Sequence, residues 1–285
     1  MFGRRVLIGG AAVVAGFAAR AEGGMTAAFA RIEEGVGGRL GVAVLETGTG
    51  RLTGRRLEER FPMASTFKAP LAAAVLARAD AGQERLDRRI RVTREDLLPY
   101  SPVTETQLGG EGMTLEALCE ATMVFSDNAA ANLLLRALGG PAELTAWLRA
   151  IGDGVTRIDR MEPDLNEARP GDPRDTTSPA AMAATMRRLV LGDALAAPSR
   201  ERFERWLRAN TTGRARLRAG LPAGWAVSDR TGTGHNGTSN VIGVTWPPHG
   251  APLVVTAFLT GSPATGPARE AALAEVGRAI AAGLG

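Results

Sequence analysis

Lysine is almost missing from this chain. Of its 34 basic residues only one, Lys68, is a lysine; every other positive charge is an arginine. Cysteine is equally scarce. Cys119 stands alone, which rules out an intramolecular disulfide. It lies in the helical-looking run Leu115 to Glu120 and reads as a small buried apolar residue. The two histidines, His235 and His249, have no clustered carboxylates near them in sequence, which argues against a zinc hydrolase and against any metal cofactor. A single tyrosine, eight phenylalanines and scattered arginines give no stacking platform beside a basic stripe, so nucleic acid is not the expected partner. Long apolar runs are absent too. Val6 to Ala19 is too short for a permanent membrane anchor.

That short run has another reading. Met1-Phe2-Gly3-Arg4-Arg5 is a basic start, and Ala19-Arg20-Ala21 is a small-x-small cleavage sequence. Residues 1–21 are therefore expected to be an export signal, of the twin-arginine or the general secretory kind. Their removal takes away Arg4, Arg5 and Arg20 and leaves the mature chain nearly neutral. No lipidation cysteine follows, so the mature protein is expected to be exported to the periplasm and free of the membrane. With 45% hydrophobic residues in 285 there is material for a large core. Nothing demands an oligomer, and a monomer is the default.

Residues 25–36 read as an amphipathic helix, 39–46 as a strand, and Gly48-Thr49-Gly50 as a turn into a second strand. From Ser65 to Arg208 the pattern is helical: 66–80, 114–120, 127–138, 141–150, 179–191 and 199–209, with Gly and Pro between. After Trp225 the character changes. Trp225–Asp229, Val241–Trp246 and Leu253–Thr260 suit consecutive antiparallel strands, and 266–283 closes the chain as an alanine-rich helix. The pattern predicts an α/β (α+β) fold: one antiparallel sheet made from both chain ends, flanked by helices, with an inserted all-α domain. The boundaries are 22–61 and 210–285 for the sheet part and 62–209 for the helical part.

Lys68 needs a reason that charge cannot supply. Arginine does not give up its proton in a protein, whereas a lysine beside other cations or in a dry pocket can become a neutral base. Ser65 stands three residues earlier, on the same helix face, where its hydroxyl could be a nucleophile activated by the amine. Ser126-Asp127-Asn128 precedes a helix; it offers a second hydroxyl and an amide, or merely a helix N-cap. Glu162-Pro163-Asp164-Leu165-Asn166 lies in a polar loop that Arg160 and Asp175 could close at the neck. Its carboxylate could activate a water held by Asn166, or could simply be solvated. Arg230-Thr231-Gly232-Thr233-Gly234, at the end of the first late strand, could bind a carboxylate, a task for which fixed charge suffices. Arg216, after Asn210-Thr211-Thr212-Gly213, is a further anion-binding or solvated arginine.

Taken in order, Ser65-x-x-Lys68, Ser126-Asp127-Asn128, Glu162-x-x-Leu165-Asn166 and Arg230-Thr231-Gly232 resemble the signature set of class A serine β-lactamases across essentially the whole mature chain. The resemblance implies a β-lactam as substrate and no cofactor. It implies Ser65 as nucleophile, Lys68 or Glu162 as acylation base, Ser126 as proton relay and Glu162 as activator of the deacylating water. Asn128, Arg216, Arg230 and Thr231 would bind substrate, the backbone N–H groups of Ser65 and Thr233 would form the oxyanion hole, Tyr100 would stand at the cleft mouth, and Glu162-Pro163 would be cis. Arg230 replaces the usual lysine, as in the carbenicillin-hydrolysing branch. Ser239 and Asn240 occupy the region where many members carry an arginine, and Arg216 matches the alternative source of that guanidinium. Ala64 and Gly234 stand where some carbapenem-hydrolysing members have a disulfide. Penicillins are therefore the expected substrates. A D,D-peptidase would share Ser65 and Lys68 without the Glu162 loop. A drug sensor would normally belong to a membrane-anchored chain, for which a second apolar span is missing, and the Glu162 to Asn166 motif argues against a serine-dependent glutaminase.

Overall fold

A computed structural model describes residues 10–284, with side chains from Gly23 onward. The expected export signal, residues 1–21, lies outside the side chains so described. Among the described residues no helix is long and apolar enough to cross a membrane.

The chain runs α1 (Gly10–Val36), β1 (Arg39–Glu46), β2 (Leu52–Arg55), β3 (Phe61–Pro62), α2 (Lys68–Asp80), β4 (Arg89–Ile90) and β5 (Met113–Thr114). It continues as α3 (Leu115–Val124), α4 (Asn128–Leu138), α5 (Pro141–Ala150), β6 (Thr176–Thr177), α6 (Pro179–Val190), α7 (Ala197–Ala209) and α8 (Leu217–Gly220). It ends with β7 (Ala226–Gly234), β8 (Thr238–Trp246), β9 (Leu253–Thr260) and α9 (Gly266–Leu284). Five strands form one antiparallel sheet in the order β2-β1-β9-β8-β7. The first and last strands thus lie side by side, from Arg39 opposite Thr260 to Glu46 opposite Leu253.

Strand periodicity explains the layers. In β1, Val42 and Val44 point to one face, Ala43 and Leu45 to the other, and all four are buried. The first face packs under α1 and α9 with Phe29, Leu273, Val276 and Ile280. The second continues into the helices through Phe258, Leu71, Leu76, Met123 and Leu134. Every residue of α2 from Lys68 to Leu76 is buried, so this helix runs through the middle of the helical part with its one charged residue in that stretch removed from solvent.

Two strands run longer than the sequence predicts. β7 does not stop at Asp229 but continues through the Arg230 motif to Gly234, paired residue for residue with β8, which starts at Thr238 instead of Val241. Two glycines in three residues look like a turn, yet Gly232 is there for clearance. A Cβ on it would lie 2.6 Å from Met63 O and 3.0 Å from Thr66 N, both backbone atoms. Only a bare Cα lets the edge strand lie against the 3₁₀ turn Ala64–Phe67 that opens α2. Gly232→Ala is expected to destabilise the fold by about 1–3 kcal/mol, the range for overpacking a tight contact. Denaturant unfolding with a parallel activity assay checks it; an unchanged midpoint with full activity would contradict the clearance argument.

Candidate active site

Three backbone devices place the side chains. The first holds Ser65. Asn240 on β8 donates through Nδ2 to the carbonyls of Pro62 and Met63, 2.9 Å each, and Thr66 Oγ1 donates to Met63 O at 2.8 Å. The second centres on Asp127, which is wholly buried and caps α4 by accepting from Ala130 N at 2.9 Å. Its other oxygen accepts from the backbone N–H groups of Val103 and Thr104, and Asn128 N donates to Tyr100 O. The N-cap reading of this segment is thus correct, and the cap also docks the loop that carries Tyr100.

The third device holds the loop with Glu162. Its neck closes as the sequence predicts: Arg160 Nε meets Asp175 Oδ2 at 2.6 Å, and the N–H groups of Asp159 and Arg160 donate to Asp175 Oδ1. Strand β3 pairs with β6 at the same place. Glu162-Pro163 is cis. Glu162 itself is gripped by Asn132, whose Oδ1 accepts from Glu162 N (2.9 Å) and whose Nδ2 donates to Glu162 O (2.8 Å). The sequence reading missed Asn132. Its signal was a lone amide in the apolar run Ala129–Leu135, one helical turn after Asn128 and so on the same face.

These devices bring all the expected side chains together. Ser65, Tyr100, Ser126, Asn128, Asn166, Arg216, Thr231 and Thr233 line one cleft of about 520 Å³. Lys68, Glu162 and Arg230 lie just beneath it, buried. Lys68 Nζ donates to Ser65 Oγ (3.0 Å), Ser126 O (2.9 Å), Ser126 Oγ (3.3 Å) and Asn128 Oδ1 (2.5 Å), and lies 3.0 Å from Glu162 Oε1. Burial pushes its ammonium down to about 8, with the Arg230 charge adding to the shift and Glu162 opposing it. At pH 7 about a tenth of such a lysine is the free amine.

Arg230 is more deeply set than a direct substrate ligand would be. It is fully buried, and its guanidinium donates to Ser126 Oγ and, at 3.2 Å, to Thr212 Oγ1. Burial lowers it to about 10, still protonated at neutral pH. Ser126 Oγ accepts from both Lys68 and Arg230, so its own proton is left to point into the cleft. Arg216, from the loop before α8, is tied by Nη1 to the carbonyls of Gly232 and Asn240 (2.8 Å each) and by Nη2 to Thr233 Oγ1 (2.7 Å). Its guanidinium therefore stands beside β7, where Ser239 leaves the neighbouring strand without a cation.

On the Glu162 side, Ser65 Oγ is 3.5 Å from Oε1, and Asn166 Nδ2 donates to Oε2. Asn166 Oδ1 is buried with no partner among the described residues, an acceptor that asks for a water or substrate donor. His235 N donates to Asn166 O at 2.9 Å, which joins the end of β7 to this loop. Cys119 is buried and does not line the cleft, its thiol pushed up by desolvation. Among the described residues no three of His, Cys, Asp and Glu are grouped to hold a metal.

The comparisons agree with one another. Residues 25–284 match the family described as "Beta-lactamase enzyme family". Beta-lactamase L2 of Stenotrophomonas maltophilia is 51% identical over 88% of this chain and 82% of its own length. The carbapenem-hydrolyzing beta-lactamase KPC of Klebsiella oxytoca is 48% identical over 95% of this chain and 93% of its own. Among solved structures, an ancestral class A β-lactamase (GNCA) superposes with a TM-score of 0.88 at 64% identity, covering 90% of this chain and 98% of that one. The putative class A enzyme PenP from Rhodopseudomonas palustris gives 0.89 at 55%, with 90% and 98% covered.

Because Lys68 is the only lysine, selective ¹³Cε labelling of lysine reads it as one resonance. It should titrate with a midpoint near 8. Since the Glu162 carboxylate favours the ammonium, Glu162→Gln should move the midpoint lower still. A midpoint at the ordinary lysine value of 10.5 would contradict the desolvation argument.

Proposed function

Since the chain belongs to the β-lactamase enzyme family, as a class A serine enzyme that hydrolyses cyclic amides, we propose that it opens β-lactam rings through an acyl-enzyme on Ser65. The observation that carries this reading is the short contact between Ser65 Oγ and a fully buried Lys68 Nζ whose ammonium is pushed toward neutrality. As the amine, Lys68 takes the hydroxyl proton while Ser65 Oγ attacks the lactam carbonyl. The developing oxyanion is held by the backbone N–H groups of Ser65 and Thr233, each such donor being worth about 10²–10³ in rate. Thr233 lies on the sheet's edge strand, where alternate N–H groups are not used by a neighbour.

Breaking the ring C–N bond needs a proton on nitrogen. Ser126 relays it: its hydroxyl proton, facing the cleft because Lys68 and Arg230 occupy its lone pairs, passes to the nitrogen. Lys68, 3.3 Å away, replaces it with the proton taken from Ser65 and returns to the free amine. The Ser65 ester is then hydrolysed by a water between Glu162 and the unpartnered Asn166 Oδ1, with Glu162 as general base. Asn128 orients the acyl-side amide and Tyr100 walls the cleft mouth. Thr231, Thr233 and Arg216 receive the ring carboxylate, while Arg230 adds charge from below, through Ser126 and Thr212. The acylation base is Lys68 in this reading, Glu162 being committed to Asn166 and the water.

Penicillins, including carbenicillin-type compounds, are the proposed substrates. Arg230 in place of lysine supports this. So does the absence of a disulfide between Ala64 and Gly234, although a Cβ on Gly234 would lie 3.4 Å from Ala64 Cβ. The activity would confer β-lactam resistance. We assign the mature enzyme as an exported, periplasmic monomer beginning after residue 21, with an all-α part at 62–209 set between 22–61 and 210–285.

Lys68→Arg tests the central step. The charge is kept but the proton cannot be taken, so acylation in single-turnover kinetics should fall by about 10²–10⁴, the usual worth of a general base. Near-normal acylation would reject Lys68 as the base.

A further inference from the structure

One carboxylate in the cleft has no part in this chemistry. Glu270, in the first turns of α9, lines the cleft beside Arg216, Thr231 and Thr233. Among the described residues Glu270 and Arg216 are the only charged ones lining it; the rest are Ser, Thr, Asn, Gly and Tyr. The two form an unequal pair. Arg216 is 5% exposed and pinned by Gly232 O, Asn240 O and Thr233 Oγ1. The Glu270 side chain is 34% exposed, and its Oε1 stands 3.4 Å from both Nε and Nη2 of Arg216, long for a charged hydrogen bond. Glu270 Oε2 makes no hydrogen bond to any described residue. The neighbouring Arg269 is engaged elsewhere, donating to Ser239 Oγ at 3.1 Å and to Ala264 O. A partly solvated carboxylate thus faces the cleft at the end where Arg216 and Thr233 stand.

We infer that Glu270 selects among β-lactams for those carrying a positive charge on the fused ring, on the carbon next to the one bearing the carboxylate. The inference rests on the reading of the cleft given above. There the lactam carbonyl lies at Ser65 and Thr233, the acyl side chain toward Asn128 and Asn166, and the ring carboxylate at Thr231, Thr233 and Arg216. A substituent adjacent to that carboxylate then projects toward Glu270. A cation there gains an ion pair, a neutral group gains nothing, and an anion meets repulsion. Because Glu270 is partly solvated, the effect is modest, roughly three- to fivefold in kcat/KM, as for a partly exposed charge pair. It should fall mostly in KM, since the contact exists equally in ground and transition states.

The test uses two cephalosporins with the same thienylacetamido side chain: cephaloridine, with a cationic pyridinium on the 3-methylene, and cephalothin, with a neutral acetoxy group there. The purified mature enzyme and its Glu270→Gln, Glu270→Asp and Glu270→Lys variants are assayed on both. The intrinsic reactivities of the two drugs cancel when the cephaloridine/cephalothin ratio of kcat/KM is compared between variants. Glu270→Gln should lower that ratio about three- to fivefold, Glu270→Lys should lower it further, Glu270→Asp should retain most of it, and added salt should shrink the difference between wild type and Glu270→Gln. A parallel fall on both drugs with an unchanged ratio would overturn the inference and leave Glu270 as a residue that merely positions Arg216. Equal activity of all variants would overturn it as well. Ampicillin serves as the control substrate: a wild type that opens ampicillin but neither cephalosporin would also overturn the inference, and one that opens none of the three would instead reject the proposed function itself.

Discussion

Everything in this site depends on the burial of one ammonium. Lys68 has no exposed surface, and removing such a charge from water costs several kcal/mol even after relaxation. The protein offsets that cost with oxygen atoms, two from Ser126 and one each from Ser65, Asn128 and Glu162. The offset is incomplete, because a second buried cation, Arg230, shares Ser126 with it. The imbalance is what pushes the ammonium toward neutrality, the property the proposed acylation step requires. An arginine at 68 would be stabilised as a cation and nothing more, whereas at 230 and 216 permanent charge is what the position asks for.

A buried cation with five oxygen neighbours tolerates little play, and the surrounding structure is arranged to remove it. Asn132 holds Glu162 by its backbone, which leaves the carboxylate free for chemistry. Asn240 holds the carbonyls just ahead of Ser65, and Gly232 lets β7 press against the same turn. Ala64, Tyr100 and Ser126 all adopt left-handed backbone conformations that non-glycine residues rarely take. Each borders the cleft or Ser65, and strain of about 1–3 kcal/mol per residue persists only where neighbouring contacts over-determine it. The core under α2 and the loop around Asp175 supply those contacts.

Much of this was legible in the residues. Short runs rich in Val, Leu and Thr at 39–46 and 253–260, bounded by glycine and proline turns, and the helix-compatible periodicity or composition of segments from 66 to 209 gave the main elements to within a few residues. The four motifs located the site because their members are close in sequence: Ser65 and Lys68 on one turn, Asp127 beside Asn128. What could not be read was long-range. Arg230 meets Ser126 across 104 residues and Asn132 meets Glu162 across 30, and neither pair leaves a periodicity. Glu270 has no local signal at all, since it reaches Arg216 only because α9 folds back over the sheet. The two-residue pairs β3–β6 and β4–β5 are too short to show alternation. The extension of β7 was hidden because its glycines serve close approach, which in sequence looks the same as a turn.

The division of labour between Lys68 and Glu162 is the centre of this account, and one measurement addresses it directly. Ampicillin is mixed with the purified mature enzyme and with Glu162→Ala, and ring opening and intact protein mass are followed together. The account predicts rapid turnover by the wild type without a lasting adduct, and a stable acyl adduct on Ser65 in Glu162→Ala. A stoichiometric, long-lived adduct on the wild type, or unimpaired turnover by Glu162→Ala, would contradict it.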